Sequence, residues 1–178
     1  MVLPYSGYLS DYCPWPVLVG KDGAPRFCYW GYGYKERATR RTWKPSEIVL
    51  HATAGTTFEA DVWYITKRNP RAISCHFIIG KAGELLMLCP LDYVAWHAGH
   101  WGHNLRSVGI ELVHANDDSA YPEAQLQALI YLCAQLCELF AIDPWTGIIG
   151  HRDIVPTICP RGLDVREIVQ GVALEMAI

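Results

Sequence analysis

Leu126, Leu129, Ile130, Cys133, Leu136, Cys137 and Phe140 recur at helical spacing between Pro122 and Phe140. A helix carrying such a stripe has to bury it against another layer. Pro122 suits the first turn, where its missing N–H costs nothing. The partner layer is written upstream in runs of strand length: EIVLH (47–51), ISCHFIIG (73–80), ELLMLC (84–89) and SVGIELV (107–113). Lys81-Ala82-Gly83, between the second and third runs, is a hairpin signal. TTFEADVWYITKRN places Phe58, Val62 and Ile65 on one helix face, with Thr57 able to cap it. GIIG leads into His151 as a short strand, and Asp164 followed by Glu167 starts a final helix. The pattern predicts a single α/β domain with a central mixed β-sheet flanked by helices.

Composition narrows the class. The chain has 178 residues, 51% apolar and 19% charged, enough for one domain with a sizeable core. A net charge of −3 argues against general nucleic-acid binding. The basic run KERATRRTWK (35–44) reads as a solvated loop, or alternatively as a patch for an anionic polymer such as cell wall. No run reaches the roughly 20 apolar residues of a membrane span. The start MVLPYSGYLSDYCPWP has no basic residue and no continuous apolar stretch, so no secretory signal is expected and synthesis is assigned to the cytoplasm. Residues 1–46, rich in Tyr, Trp, Pro and Gly, read as an extension packed on a domain spanning 47–178. The seven cysteines form no compact disulfide framework. Cys133 and Cys137 read as core thiols, which favours a reducing compartment, while Cys13 and Cys28 are either a pair or loose thiols.

The run GHRDIVPTICP places His151 and Cys159 near each other on a loop stiffened by Pro156 and Pro160. His51 ends the apolar run EIVLH. All three are zinc-ligand types, and three protein ligands leave a position open for water, as catalytic sites do. Glu111 alternates with Ile110 and Leu112 in a strand, so it points to the opposite face. A carboxylate inside an apolar strand needs a partner or a task.

VLHATAG, SCHFIIGKAGEL, AWHAG, NLRSVGIEL and GHRDIVPTICP, in that order, resemble the zinc-dependent N-acetylmuramoyl-L-alanine amidases. That family takes in the phage T7 lysozyme type, bacterial amidases of cell-wall recycling and animal peptidoglycan recognition proteins. The resemblance covers residues 47–170 and implies one zinc ion held by His51, His151 and Cys159. It implies a bound water whose pKa falls towards about 7 and which attacks the amide joining muramic acid to L-alanine. Glu111 matches the catalytic glutamate of the recycling amidases and is the implied general base. Cys75 stands where the T7 type has a tyrosine. Thr157 stands where many members have a lysine, and offers the oxyanion one hydrogen bond without charge.

The resemblance places His97 towards substrate, touching the glycan or peptide or steadying the intermediate. Trp96 and Trp101 would wall the cleft, and Asn104 and Arg106 would meet a stem-peptide carboxylate. His76 reads as packed or facing the cleft edge, not as a ligand, and His114 as a surface residue at a strand end. His97, His100 and His103 sit on what reads as a loop, with no second metal expected. The implied partner is peptidoglycan or its muropeptides, met by a monomer. The implied activity is a phage-type endolysin; alternatives are a recycling amidase acting on soluble anhydro-muropeptides and a non-catalytic peptidoglycan-binding module. A purely structural zinc domain would need a fourth ligand, and none is in register.

Overall fold

EIVLHA forms β1 (Glu47–Ala52) and SVGIEL forms β4 (Ser107–Leu112), and the two run parallel through six residue pairs. The computed structural model describes residues 39–67, 71 and 73–177; residues 1–38, with Cys13 and Cys28, lie outside the described residues. Around the central pair, β5 (Ile148–Gly150) joins β1 in parallel and β2 (Phe77–Ile79) joins β4 in parallel. The edge strand β3 (Leu85–Met87) is antiparallel to β2. The sheet order is therefore β3-β2-β4-β1-β5, a mixed sheet as the runs predicted. Gly83 sits at φ +83 in the β2–β3 turn, where an added Cβ would also lie 2.9 Å from the Ala124 carbonyl oxygen. That position admits only glycine without strain.

Alternation sorts the strand residues onto two faces. Ile48, Leu50, Phe77, Ile79, Ile110 and Leu112 pack into one core with α3 (Glu123–Phe140) and α5 (Val165–Glu175). Leu129, Cys133, Leu136, Cys137 and Phe140 of the predicted stripe are buried there, with Leu126 and Ile130 at its margin. On the other face Cys75, Ile78, Leu86, Leu88 and Val113 lie under Phe58, Val62 and Ile65 of α1 (Phe58–Lys67). The result is a sheet covered on both faces, which is why its strands read as nearly unbroken apolar runs.

Caps fix where the helices begin and end. The Asp164 carboxylate accepts from the backbone N–H groups of Arg166 and Glu167 at the start of α5. Ala141 closes α3 in the left-handed conformation and donates its N–H to the Cys137 carbonyl. Gln125, fully buried in the first turn of α3, donates its amide to the carbonyls of Ile79 at 2.9 Å and Val113 at 3.2 Å. It thereby ties the helix to the ends of β2 and β4.

The structure corrects three expectations. AGHWGHN is not all loop: Trp101–Arg106 forms the short helix α2, and another, α4 (Pro144–Gly147), precedes β5. His114 is not at the surface but buried, because residues 115–121 fold back over it. Its ring stacks on Tyr121 at 3.9 Å, its Nδ1 accepts from the Asn116 N–H, and its Nε2 meets the Ser119 carbonyl. Within the basic run, Arg41 is not a solvated charge. Its guanidinium turns inward onto the carbonyls of Tyr93, Leu105 and Ser107. Arg40 stays exposed and pairs with Asp92.

Among the described residues no helix is long and apolar enough to cross a membrane. Leu132 is 1% exposed, within α3 against the sheet. Leu132→Ala should cost about 2–5 kcal/mol through lost burial and a residual cavity, read as a lower urea midpoint at unchanged slope.

Candidate metal centre

The parallel strands bring their carboxyl ends to one edge of the sheet, where ligands commonly bind in α/β folds. His51 lies near the end of β1 and His151 directly follows the adjacent β5. The chain then makes a short 3-10 turn, His151–Asp153, and loops back to Cys159. The Cys159 Sγ accepts from the Ala52 N–H at 3.2 Å, which seats the loop beside β1. One donor atom each from His51, His151 and Cys159 lies within 4.8 Å of the others.

The loop is held shut by its own sequence. The Arg152 N–H donates to the Cys159 carbonyl at 2.8 Å. Its guanidinium reaches the carbonyls of Pro160 at 2.8 Å and Leu163 at 2.7 Å. Asp153 accepts from the Gly150 N–H at 2.7 Å, and the Thr157 hydroxyl oxygen accepts from the Cys159 N–H at 3.2 Å. From outside, Tyr121 donates to the Arg161 carbonyl and Asn116 accepts the Arg161 N–H. GHRD thus contributes one metal-type side chain and two loop-closing ones.

The electrostatics suit a cation. Burial, then the neighbouring His97 and His151, hold His51 well below the usual imidazole range. Burial lowers His151 too, partly countered by the Ala98 backbone. Both are therefore neutral near pH 7, the form that ligates metal. Burial pushes the Cys159 thiol up to about 11, with the Ala52 N–H and Arg152 opposing and Glu111 adding to it. A metal there would have to displace that proton. Among the described residues, His151 Nε2 and Glu111 Oε2 are buried without a hydrogen-bond partner. Two neutral nitrogens, one sulfur and unused polar capacity fit a borderline-soft divalent cation such as zinc. His51, His151 and Cys159 are the one such cluster among the described residues.

Glu111 pairs with His51 across β4–β1 and with Ile78 across β4–β2. All three therefore share the α1 face of the sheet. Glu111 is partly exposed as a residue, but its Oε2 is closed to solvent. Burial, then the nearby Asp61 carboxylate, push its carboxyl up to about 8. Asp61 accepts from the Thr53 hydroxyl at 2.6 Å. Sequence reading passed over Asp61 and Thr53. The available signal was an aspartate on the α1 stripe between Phe58 and Val62, and a threonine two residues beyond His51.

The remaining candidates separate. Trp96 and Trp101 are partly exposed, with ring centroids 5.2 Å apart, and form an aromatic step. Thr157 uses its oxygen as an acceptor, leaving its proton to donate. His97 is only 7% exposed, and its Nδ1 lies 2.9 Å from His51 Nε2. Asn104 is not presented to a ligand. It is 4% exposed, and its Oδ1 accepts from the N–H groups of His97 and Ala98. Arg106 pairs instead with Glu47 at 2.8 Å, at the opposite, amino-terminal end of β1. His103 joins that pair through Glu47 Oε2. Of the two positions open to His76, the structure shows the packed one, with the ring accepting from the Gly109 N–H and meeting the Tyr93 carbonyl. Cys75 is buried, and burial holds its thiol far above the usual range.

Fold and site together define an α/β protein with a cluster of two histidines and a cysteine, able to hold a metal ion, at the carboxyl edge of its sheet. Residues 41–162 match the N-acetylmuramoyl-L-alanine amidase family, and the chain belongs to that family. It is 36% identical over 90 residues to the 1,6-anhydro-N-acetylmuramyl-L-alanine amidase AmpD of Escherichia coli K12, covering 47% of this chain and 48% of that protein. It is 28% identical over 107 residues to the bifunctional autolysin of Staphylococcus epidermidis, 59% of this chain and 8% of that one. The chain thus spans about half the length, or less, of these curated relatives. The endolysin amidase LysCS of Clostridium intestinale superposes with a TM-score of 0.64 at 25% identity, covering 77% of this chain and 92% of that one.

The Glu111 carboxyl sets a pH prediction for the metal-free protein. It holds a proton up to about pH 8, whereas its ordinary value, which the unfolded chain approaches, is 4.5. The folded state binds more protons in that window, so this contribution to stability falls as pH rises through it. Urea unfolding between pH 5 and 8 should show metal-free wild type losing stability relative to Glu111→Gln. Identical pH slopes for the two would overturn the assignment.

Proposed function

We propose that this chain is a zinc-dependent peptidoglycan amidase that cleaves the amide between the lactyl group of N-acetylmuramic acid and L-alanine. The observation that carries the reading is the convergence of His51, His151 and Cys159 within 4.8 Å, beside Glu111. A single zinc ion held by these three would supply Lewis-acid polarisation of the carbonyl and an activated water at neutral pH. Glu111 takes the proton of the attacking water and returns it to the departing amine nitrogen as the C–N bond breaks. Burial and Asp61 raise the Glu111 carboxyl above the ordinary carboxylate range in the metal-free protein, and a bound cation would favour its ionised form, leaving a basic carboxylate to accept that proton. The Thr157 proton is free to meet the developing oxyanion, worth less than a lysine's charge. Trp96 and Trp101 offer flat faces to sugar or stem peptide. A non-catalytic binding module is disfavoured because no ligand of the set is missing.

The natural substrate is proposed to be intact wall, in the manner of an endolysin, supported by the likeness to LysCS along nearly all of that domain. The 36% identity to AmpD supports the second reading, a recycling amidase for soluble anhydro-muropeptides. Lysis of purified sacculi, compared with cleavage of soluble muropeptides, separates them; a protein that cuts only the soluble form is not an endolysin.

Glu111→Gln should retain zinc and fold while losing about 100-fold or more in kcat, read by release of stem peptide from peptidoglycan. Full activity in that variant would refute the base assignment. Cys159→Ala should lose both zinc and activity, read by metal content per chain.

A further inference from the structure

His97 is buried between His51 and Ser107, and the protons along this line can be counted. The Ser107 hydroxyl lies 2.5 Å from the His103 carbonyl at the end of α2. A carbonyl can only accept, so the single hydroxyl proton of Ser107 is committed there. The Ser107 oxygen also lies 3.2 Å from His97 Nε2, and it must then accept from that nitrogen. A neutral imidazole has one N–H. His97 Nδ1 is therefore an acceptor, and it faces His51 Nε2 at 2.9 Å. His51 must donate from Nε2, which leaves Nδ1 as its lone-pair nitrogen.

We infer that His97 and Ser107 are positioning residues that lock His51 in the tautomer able to ligate metal through Nδ1. The inference rests on the reading of His51 as a zinc ligand. Two further features of the chain hold His97 in place. Its ring lies against the backbone of β4 at Gly109, where an added Cβ would come within 2.5 Å of the ring carbons. This gives the glycine of SVGIEL a reason: only a residue without a side chain leaves room for the imidazole. Asn104 clamps the same segment from behind, with the N–H groups of His97 and Ala98 donating to its Oδ1 at 3.1 and 2.8 Å. His97 thus acts through His51, not on substrate. An outer hydrogen bond of this kind fixes ring orientation and tautomer, and its loss commonly costs about 10- to 100-fold in metal affinity.

The test has two readouts besides turnover. In metal-free wild type, two-bond ¹H–¹⁵N correlation spectra of the histidine rings should show His51 protonated on Nε2 and His97 also protonated on Nε2. A His51 protonated on Nδ1 would overturn the inference. Zinc affinity, measured by competition with a chromophoric chelator, should fall about 10- to 100-fold in His97→Phe and fall also in Ser107→Ala. His97→Asn, whose carboxamide oxygen can stand in for the Nδ1 acceptor, should recover part of the loss. Wild-type affinity in His97→Phe would sink the idea. If that variant does not fold, Ser107→Ala and the wild-type spectra decide. A wild type with Nε2-protonated His51 that binds no zinc would support the relay and overturn the metal reading, so the two failures are distinguishable.

Discussion

Everything at the site depends on the register of one parallel strand pair. β1 and β4 are matched so that His51 lies opposite Glu111. The side-chain period of a strand is two, so a slip of one residue would send one partner to the α3–α5 core and leave the other under α1. The register is well defended. Ile48, Leu50, Ile110 and Leu112 must all face the larger core, and Gln125 ties the ends of β2 and β4 to α3. Burial of apolar residues thus fixes where two polar ones meet.

The second constraint is electrostatic. Burial keeps His51 and His151 neutral, raises the Cys159 thiol to about 11 and the Glu111 carboxyl to about 8. Left alone, the site minimises its own charge, because each ionised form would be poorly solvated there. Such a set of groups is unremarkable as packing and costly as polar burial. It makes physical sense as a place prepared for a positive ion, which favours the ionised sulfur and carboxylate.

The fold was largely readable because hydrophobic period carries it. The α3 stripe, the β2–β3 turn at Gly83 and the Asp164 cap all stand where the sequence put them. His51, His151 and Cys159 could be picked out by residue type and order, and the structure brings them together. What could not be read were contacts that depend on tertiary burial. Nothing local says that the strand-end His114 will be covered by residues 115–121, or that Arg41 will turn inward to three carbonyls. The family resemblance points Asn104 and Arg106 towards a stem-peptide carboxylate. One instead caps backbone N–H groups, and the other pairs with Glu47. Ser107 and Gly109 carried no chemical signal at all. Their roles exist only relative to the ring of His97.

His51 also lies far along the chain from the His151–Cys159 loop. Ala52, beside His51, and Cys159 are separated by 107 positions, yet their backbone and sulfur touch. In an unfolded chain His51 would have to close a very large loop to join the other two, so the open polymer offers an ion the His151–Cys159 pair but seldom all three donors. An ion held by all three would favour the folded molecule, and its free concentration would then act as a thermodynamic brace. The scaffold that assembles the site would in turn be steadied by its own cargo, and chelation would loosen a structure that hydrophobic burial alone had set up.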